Sequence, residues 1–182
     1  LINIKMYIIE KYRRYCMQRG IPFQMDDNVK SYDDTSLFCP AGMQQFKSKF
    51  KDLEQSGTVS NVQSCLRLND IDEIGDGEHL LYFNMIGLFS FRTMTLQETV
   101  DFFMGFLDEI GIKPDYVTIH PDCPEFKELY RYHDVTSKYD ENSISAEMAA
   151  TVVSKFVLPM FENKTHKRTV TTKHSSFLKQ HK

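Results

Sequence analysis

Two strand-like runs separated by a short acidic loop limit the folds that this chain can adopt. Val62–Leu68 alternates apolar and polar residues, and His79–Phe91 is an apolar, aromatic run suited to a buried strand. The segment between them, Asn69–Glu78, is rich in acidic residues and reads as a loop. Consecutive strands joined in this way pair side by side in opposite directions. We therefore predict an antiparallel hairpin.

An amphipathic helix is predicted ahead of the hairpin. Ile8, Tyr12 and Tyr15 recur at helical spacing, whereas charged residues occupy the opposite face. This pattern predicts a helix over Asn3–Gln18, and Gly20 supplies the signal that ends it.

A second amphipathic helix is predicted after the hairpin. Thr95 and Glu98 have the spacing of a capping box, in which each side chain binds the backbone amide of the other residue. Gly111 provides the stop signal. The apolar face between these ends is formed by Val100, Phe103, Leu107 and Ile110.

Shorter elements complete the prediction. We expect strands at Ser36–Cys39 and Tyr116–Ile119, helices at Met43–Leu53 and Pro124–Tyr130, and either a helix or a strand at Ser145–Phe156. The fold class is therefore α+β, a two-layer arrangement in which helices flank an antiparallel β-sheet.

Composition indicates a globular protein. The chain has 182 residues, of which 41% are hydrophobic and 26% charged. No run approaches the roughly 20 apolar residues that span a bilayer, and Leu1–Glu10 lacks the regions of a signal peptide. We expect a cytoplasmic protein without membrane association.

The charge of the chain is unevenly distributed. The formal net charge is -3, yet Lys164–Lys182 carries only basic charges. Such a tail can bind RNA through phosphate contacts, or it can be a solvated terminus; both readings stay open. We predict a folded domain over residues 1–163 and a basic tail over residues 164–182.

The sequence predicts reduced, buried cysteines and no metal site. The cysteines are widely spaced and form no CxxC pair, which disfavours a disulfide framework or a zinc ribbon. A loose group of possible ligands follows no ligand-spacing motif. The cysteines are Cys16, Cys39, Cys65 and Cys123, and the loose group is His120, Asp122, Cys123 and His133.

Several ordered segments resemble the alanyl-tRNA synthetase family. Ser36–Lys47, which contains Ala-Gly-Met and then Gln-Phe-Lys, is similar to the strand–turn–helix of that family. Val62–Arg67 resembles its strand ending in an arginine, and Asn69–Gly75 resembles its Asn-Asp-Leu-Glu-Asn-Val-Gly loop. His79–Phe91 resembles the second strand of class II motif 2, and the likeness continues to His120.

The resemblance implies a class II synthetase-like fold with an ATP site on the hairpin. By the family's pattern, Arg67 is the catalytic residue that contacts the α-phosphate, and His79 approaches the γ-phosphate. Phe83 stacks under adenine, the Met85 backbone meets the edge of the base, and Mg²⁺ bridges the phosphates. An arginine suits this role because its guanidinium is always charged and binds phosphate oxygens as a bidentate fork.

The sequence departs from the family's pattern in its later part. The family's tryptophan-containing stretch, its glycine-rich segment before a Thr-Glu pair, and its final Asp-Thr-Gly and Gly-Leu-Glu-Arg motifs have no evident counterparts, and the chain has no tryptophan. A Gly-Gly-Lys-His piece after Arg67 is also absent. The second phosphate-binding arginine and the aspartate that holds the substrate amino group are therefore missing, which leaves selectivity for alanine unsupported.

Three functional hypotheses follow. The first is an alanyl-tRNA synthetase-like protein that binds ATP and an amino acid, alanine by resemblance, and forms an aminoacyl-adenylate for transfer to tRNA or another acceptor. The second is a catalytically inactive relative that acts as an RNA- or protein-binding module. The third is a subunit that is completed by a second copy or by a partner chain.

Overall fold

A computed structural model describes residues 4–52, 54–68, 71–75, 79–140, 152–159 and 171–176, the last two ranges by their backbone. The helices are α1 (Ile4–Gln18), α2 (Lys47–Lys51), α3 (Leu96–Glu109) and α4 (Glu125–Tyr132), with 3₁₀ turns at Gln44–Phe46 and Ile71–Glu73. The strands are β1 (Phe23–Asp26), β2 (Gly57–Leu66), β3 (Tyr82–Phe91), β4 (Tyr116–Ile119), β5 (Ser137–Tyr139), β6 (Val152–Pro159) and β7 (Thr171–Ser176).

The described strands form one seven-stranded sheet in the order β1-β2-β3-β6-β7-β4-β5. β2 and β3 pair antiparallel along their whole length, from Gly57 opposite Phe91 to Leu66 opposite Tyr82. The pairs β3–β6 and β6–β7 are also antiparallel, whereas β1 lies parallel to β2 and β4 lies parallel to both β7 and β5. The predicted hairpin and the α+β class are confirmed, and parallel pairs flank the antiparallel centre.

Both faces of the β2–β3 hairpin are covered, which explains the continuous apolar run in β3. On one face, Val62, Ile86 and Leu88 pack against α1 and α3. On the other face, Phe89 and Phe91 pack against the segment that contains the 3₁₀ turn and α2. Because side chains alternate along a strand, each face receives every second residue.

Tyr12 joins α1 to the sheet and to α3. Its side chain is fully buried, and its hydroxyl donates to the Gly87 carbonyl of β3 over 2.9 Å. Its ring lies 5.0 Å from the Phe106 ring and 6.2 Å from the Phe103 ring, both in α3. The predicted apolar face of the first helix is therefore the face that holds the largest described cluster of the core together.

The predicted capping box of α3 is present. The Glu98 amide donates to the Thr95 hydroxyl over 3.2 Å, and the Thr95 amide donates to the Glu98 carboxylate over 2.7 Å. The helix stops before Gly111, which has a φ of 71°, a value that glycine adopts without a steric penalty. Local sequence signals thus fix both ends of this helix.

A smaller cluster of buried side chains joins α4 to β4 and β5. Val117 and Ile119 of β4 are fully buried against Phe126 and Tyr130 of α4. Met104 of α3 packs against both this cluster and the larger one. The two clusters therefore form a continuous layer of helices on the sheet.

Some boundaries differ from the prediction. β2 begins at Gly57 rather than Val62, because its first residues pair with the end of β3. The predicted strand Ser36–Cys39 reduces to one bridge between Lys30 and Phe38, and the Cys39 carbonyl accepts a hydrogen bond from the Leu66 amide at the end of β2.

The later part of the chain adds two strands. Val152–Phe156 lies in β6, so the strand alternative is correct there and the helix alternative is wrong; residues 145–151 lie outside the described residues. Thr171–Ser176, inside the predicted tail, forms β7 of the sheet. The division of the chain after residue 163 stays a prediction.

None of the helices in the described residues combines the length and the hydropathy that crossing a bilayer requires.

Candidate functional site

The predicted ATP-site residues lie around one end of the β2–β3 hairpin. Arg67 directly follows β2, and its amide donates to the Leu81 carbonyl over 2.9 Å, just before β3 begins. Phe83 pairs with Cys65, and Met85 pairs with Gln63. Strand pairing therefore brings Arg67 to the same end of the sheet as Phe83 and Met85, which lie 16 and 18 residues further along the chain.

The Arg67 side chain bridges a turn and an aromatic ring. Its Nε donates to the Pro40 carbonyl over 3.0 Å, and its guanidinium carbon lies 5.1 Å from the centroid of the Phe83 ring. That distance is within the range of a cation–π contact. The guanidinium of Arg67 is therefore positioned by neutral partners in the described structure.

Phe83 and Met85 are buried. Each side chain is 2% exposed, and together with Cys65 they pack against Ala41 and Leu80. The Gly42 amide also points at the Met85 sulfur, 3.4 Å away. The structure thus places the two predicted adenine contacts beneath the turn that carries the Ala-Gly-Met sequence.

The turn at Pro40–Gly42 is tied to β2 at two points. The Leu66 amide donates to the Cys39 carbonyl over 3.0 Å, and Asn61 Nδ2 donates to the Gly42 carbonyl over 2.9 Å. A Cβ at Gly42 would lie 3.2 Å from Asn61 Oδ1, so the close approach favours glycine there. The amide oxygen of Asn61 is buried and has no hydrogen-bond partner among the described residues.

A polar loop borders the site on the side of β1. The buried Gln63 Nε2 donates to the Asn28 carbonyl over 2.9 Å, and the Tyr32 hydroxyl donates to Gln63 Oε1 over 3.2 Å. Lys47 Nζ lies 2.8 Å from Asp33 Oδ2, and this bond holds the pKa of Asp33 down to about 2. The lysine of the Gln-Phe-Lys sequence therefore anchors this loop.

His79 lies beyond the hairpin end, in the segment that leads into β3. Its Nε2 is 3.0 Å from the Glu73 carboxylate, which belongs to the 3₁₀ turn of the acidic loop. The structure thus gives His79 an acidic neighbour. Its predicted approach to a γ-phosphate stays a prediction.

Asn61 and Gln63 were missed by sequence reasoning. Both are polar residues inside a strand, and both are fully buried on the face that carries Phe83 and Met85. The alternation of β2 predicts which residues share a face, but it does not show which polar residues lie beneath a turn. No short motif marks these two positions.

The described residues fit the chemistry of a nucleotide in part. The Arg67 guanidinium is a suitable phosphate ligand, and the Phe83 ring is a stacking surface for a base once it is exposed; in this structure the ring is 2% exposed. Mg²⁺ in nucleotide sites needs only one or two carboxylates besides the phosphates, and the Glu73 carboxylate lies beside His79. The residues present are therefore compatible with both groups.

The loose group of possible metal ligands is not gathered by the fold. His133 Nε2 lies 2.6 Å from Asp101 Oδ1, His120 Nδ1 lies 3.7 Å from Asp122 Oδ2, and Cys123 is buried. Over the part of the chain that the structure describes, three or more His, Cys, Asp or Glu side chains nowhere form a group able to hold a metal ion.

The cysteines are free thiols, as predicted. All four are buried. Cys39, which precedes the turn, has a pKa lowered by a hydrogen bond from the Cys65 thiol. The candidate site is therefore lined by reduced sulfur atoms on its inner side.

Comparison with known proteins gives a family match and several relatives. Residues 22–151 match the family described as tRNA synthetases class II (A). The alanine–tRNA ligase of Rubrobacter xylanophilus is 37% identical over 108 residues, which cover 55% of this chain and 12% of that protein. The alanine–tRNA ligase of Staphylococcus aureus (strain JH9) is 35% identical over 127 residues, or 65% of this chain and 14% of that protein.

A third relative gives the same result. The alanine–tRNA ligase of Tropheryma whipplei (strain Twist) is 34% identical over 119 residues, covering 62% of this chain and 14% of that protein. The matched region thus spans between 12% and 14% of the length of these relatives. The family match includes the hairpin, the turn over it and the helix that follows. The chain belongs to the class II (A) tRNA synthetase family and is alanyl-tRNA synthetase-like.

Proposed function

We propose that this chain binds ATP at the end of the β2–β3 hairpin and forms an aminoacyl-adenylate. The observation that carries the proposal is the Arg67 guanidinium, which lies 5.1 Å from the Phe83 ring where β2 ends and β3 begins. Arg67 contacts the α-phosphate and Phe83 stacks under adenine. The Met85 backbone meets the edge of the base, and His79 approaches the γ-phosphate.

Adenylation needs a fixed positive charge at the α-phosphate. The carboxylate oxygen of the amino acid attacks the α-phosphorus, a new oxygen–phosphorus bond forms, and pyrophosphate leaves with the electrons of the broken bond. Negative charge grows on the α-phosphate oxygens during this step, and a guanidinium stabilises it. Mg²⁺ neutralises the phosphates when it is bound, with the Glu73 carboxylate as a candidate ligand.

The remaining partners are proposed by analogy with the relatives. The amino acid is alanine, by analogy with the names of the relatives, and the acceptor is tRNA or another molecule with a free hydroxyl or amine. The basic residues 164–182 contact the RNA phosphates. A second copy or a partner chain supplies the groups that hold the substrate amine, and the protein acts in the cytoplasm.

The alternative function is that of a catalytically inactive relative that binds RNA or protein. One observation favours it: Phe83 and Met85 are each 2% exposed beneath the Ala41–Gly42 turn. In this case the hairpin is a structural scaffold that does not bind a nucleotide.

A calorimetric titration with Mg·ATP separates the two functions. We expect saturable binding to the wild-type chain and at least about tenfold weaker binding to Arg67→Ala, because the variant loses a charged hydrogen-bond donor. Arg19→Ala is a matched control, since Arg19 also covers a ring (Tyr15, 3.3 Å) and also donates to a carbonyl (Tyr15, 3.2 Å). Equal affinity for Mg·ATP in all three proteins would contradict the proposal. If none of them binds Mg·ATP, the alternative function, a catalytically inactive scaffold, is the one supported.

A further inference from the structure

We infer that Arg67 restricts the Phe83 stacking surface to phosphorylated nucleotides, so that the site rejects adenosine. The inference rests on the proposed function, because it concerns the same ring and the same arginine. It adds a rule for ligand specificity: the phosphates of the ligand are needed to draw Arg67 away, so that adenine can reach the Phe83 ring.

The Phe83 ring cannot contact the Arg67 guanidinium and an adenine base on the same face at the same time. The Phe83 side chain is 2% exposed, and the Arg67 guanidinium carbon lies 5.1 Å from the ring centroid. A base that stacks on an aromatic ring needs direct contact with the ring face. Adenine can therefore stack on the ring face that Arg67 covers only after the guanidinium has left it.

The described partners of the Arg67 side chain are uncharged. They are the Pro40 carbonyl, 3.0 Å from Nε, and the Phe83 ring. A hydrogen bond between a guanidinium and a phosphate is charge-assisted, is often bidentate, and is about twice as strong as a bond between neutral groups. A phosphate group thus offers Arg67 a better partner than either of these two described ones.

Adenosine has no such group to offer. It presents an uncharged ribose and base, so it must displace the guanidinium from Phe83 without giving it a new anionic partner. ATP carries the anion that draws Arg67 away from the ring. The same side chain therefore opposes binding of the nucleoside and favours binding of the nucleotide.

The same movement removes one bond from the turn. Because Arg67 Nε also bonds the Pro40 carbonyl, a guanidinium that rotates to a phosphate releases that bond. The bonds from Leu66 and Asn61 still hold the turn to β2, so the movement clears the ring face under the guanidinium and leaves the turn in place.

The test compares adenosine with Mg·ATP on three proteins: the wild-type chain, Arg67→Ala and the Arg19→Ala control. We expect Arg67→Ala to bind adenosine about threefold to thirtyfold more tightly than the wild type, the range that corresponds to a lost cation–π contact. The same variant should bind Mg·ATP more weakly than the wild type. Arg19→Ala should bind both ligands as the wild type does.

The outcomes are separable. Adenosine binding that is equal in the wild type and Arg67→Ala, or weaker in the variant, overturns the inference. Mg·ATP binding reports the proposed function independently, and if neither ligand binds any of the proteins, both the function and the inference are wrong.

A second variant keeps the test valid if Arg67→Ala does not fold. Arg67→Gln retains a donor for the Pro40 carbonyl but carries no charge, and its folding is checked by its thermal melt. It should also bind Mg·ATP more weakly and adenosine more tightly than the wild type does. An unchanged ratio of the two affinities in a folded Arg67→Gln would overturn the inference.

Discussion

Replacing Tyr12 by alanine should lower the free energy of unfolding by about 3–5 kcal/mol, the usual cost of removing a large buried ring. The Tyr12 side chain is fully buried between α1, β3 and α3, and its ring lies 5.0 Å from that of Phe106. The truncation leaves a cavity and removes the donor to the buried Gly87 carbonyl, 2.9 Å away. Urea unfolding followed by circular dichroism measures the change.

Two variants separate the contributions at this position. Tyr12→Phe keeps the ring and removes only the hydroxyl, so we expect a loss of about 1–3 kcal/mol from the unpaired carbonyl. Tyr7→Ala is the control on the same helix, because Tyr7 is 47% exposed, and its effect should stay within about 0.5 kcal/mol. Equal losses for Tyr7→Ala and Tyr12→Ala would show that the packing of α1 is not as described.

Arg67→Ala should lower the rate of amino-acid-dependent ATP–pyrophosphate exchange by about a hundredfold or more, the usual cost of removing one transition-state donor. The physical reason is the negative charge that grows on the α-phosphate, which the guanidinium stabilises. The partners of Arg67 among the described residues, a carbonyl and a ring, carry no positive charge that could replace it. Exchange is measured with labelled pyrophosphate at saturating Mg·ATP and alanine.

The lysine variant shows whether charge alone is enough. Arg67→Lys keeps the charge but loses the bidentate fork, so we expect an exchange rate between those of the wild type and Arg67→Ala. Arg19→Ala should exchange at the wild-type rate. If Arg67→Ala exchanges pyrophosphate as fast as the wild type, Arg67 does not take part in the catalytic step.

Much of the fold could be predicted from local signals in the sequence. The capping box at Thr95 and Glu98 and the stop at Gly111 act over a few residues, so their effect could be predicted without knowing the rest of the chain. The hairpin was also predictable, because two strand-like runs were joined by one loop. The start of β2 was not, since the pairing of Gly57 with Phe91 depends on where β3 ends.

Elements that depend on distant partners were predicted poorly. β1 has only the four residues Phe23–Asp26, and it exists as a strand because Ser60–Gln63 of β2 lies beside it. Ser36–Cys39 has strand-like residues, but in the structure it pairs at one bridge, between Phe38 and Lys30. In both segments, contacts with distant residues determine whether a strand forms, and these contacts leave no pattern in the local sequence.

The candidate site was predicted by resemblance and refined by the structure. The motif order pointed to Arg67, Phe83 and Met85, and strand pairing brings these residues together. The contact of Arg67 with the Phe83 ring could not be predicted, because the two residues are separated by the acidic loop and meet only when the hairpin closes. The buried amides of Asn61 and Gln63 were missed because their partners, the Gly42 and Asn28 carbonyls, lie in distant segments that no pattern within β2 reports.

Photolabelling with an azidoadenine analogue of ATP tests most directly whether the hairpin holds the nucleotide. The reactive azide is on the base, so the label marks the residues that surround adenine. Trypsin cuts after Arg67 and Arg92, and we expect the label on the resulting peptide, Leu68–Arg92, with excess ATP preventing it. Label confined to residues 164–182, or label that ATP does not prevent, would contradict a nucleotide site on the hairpin.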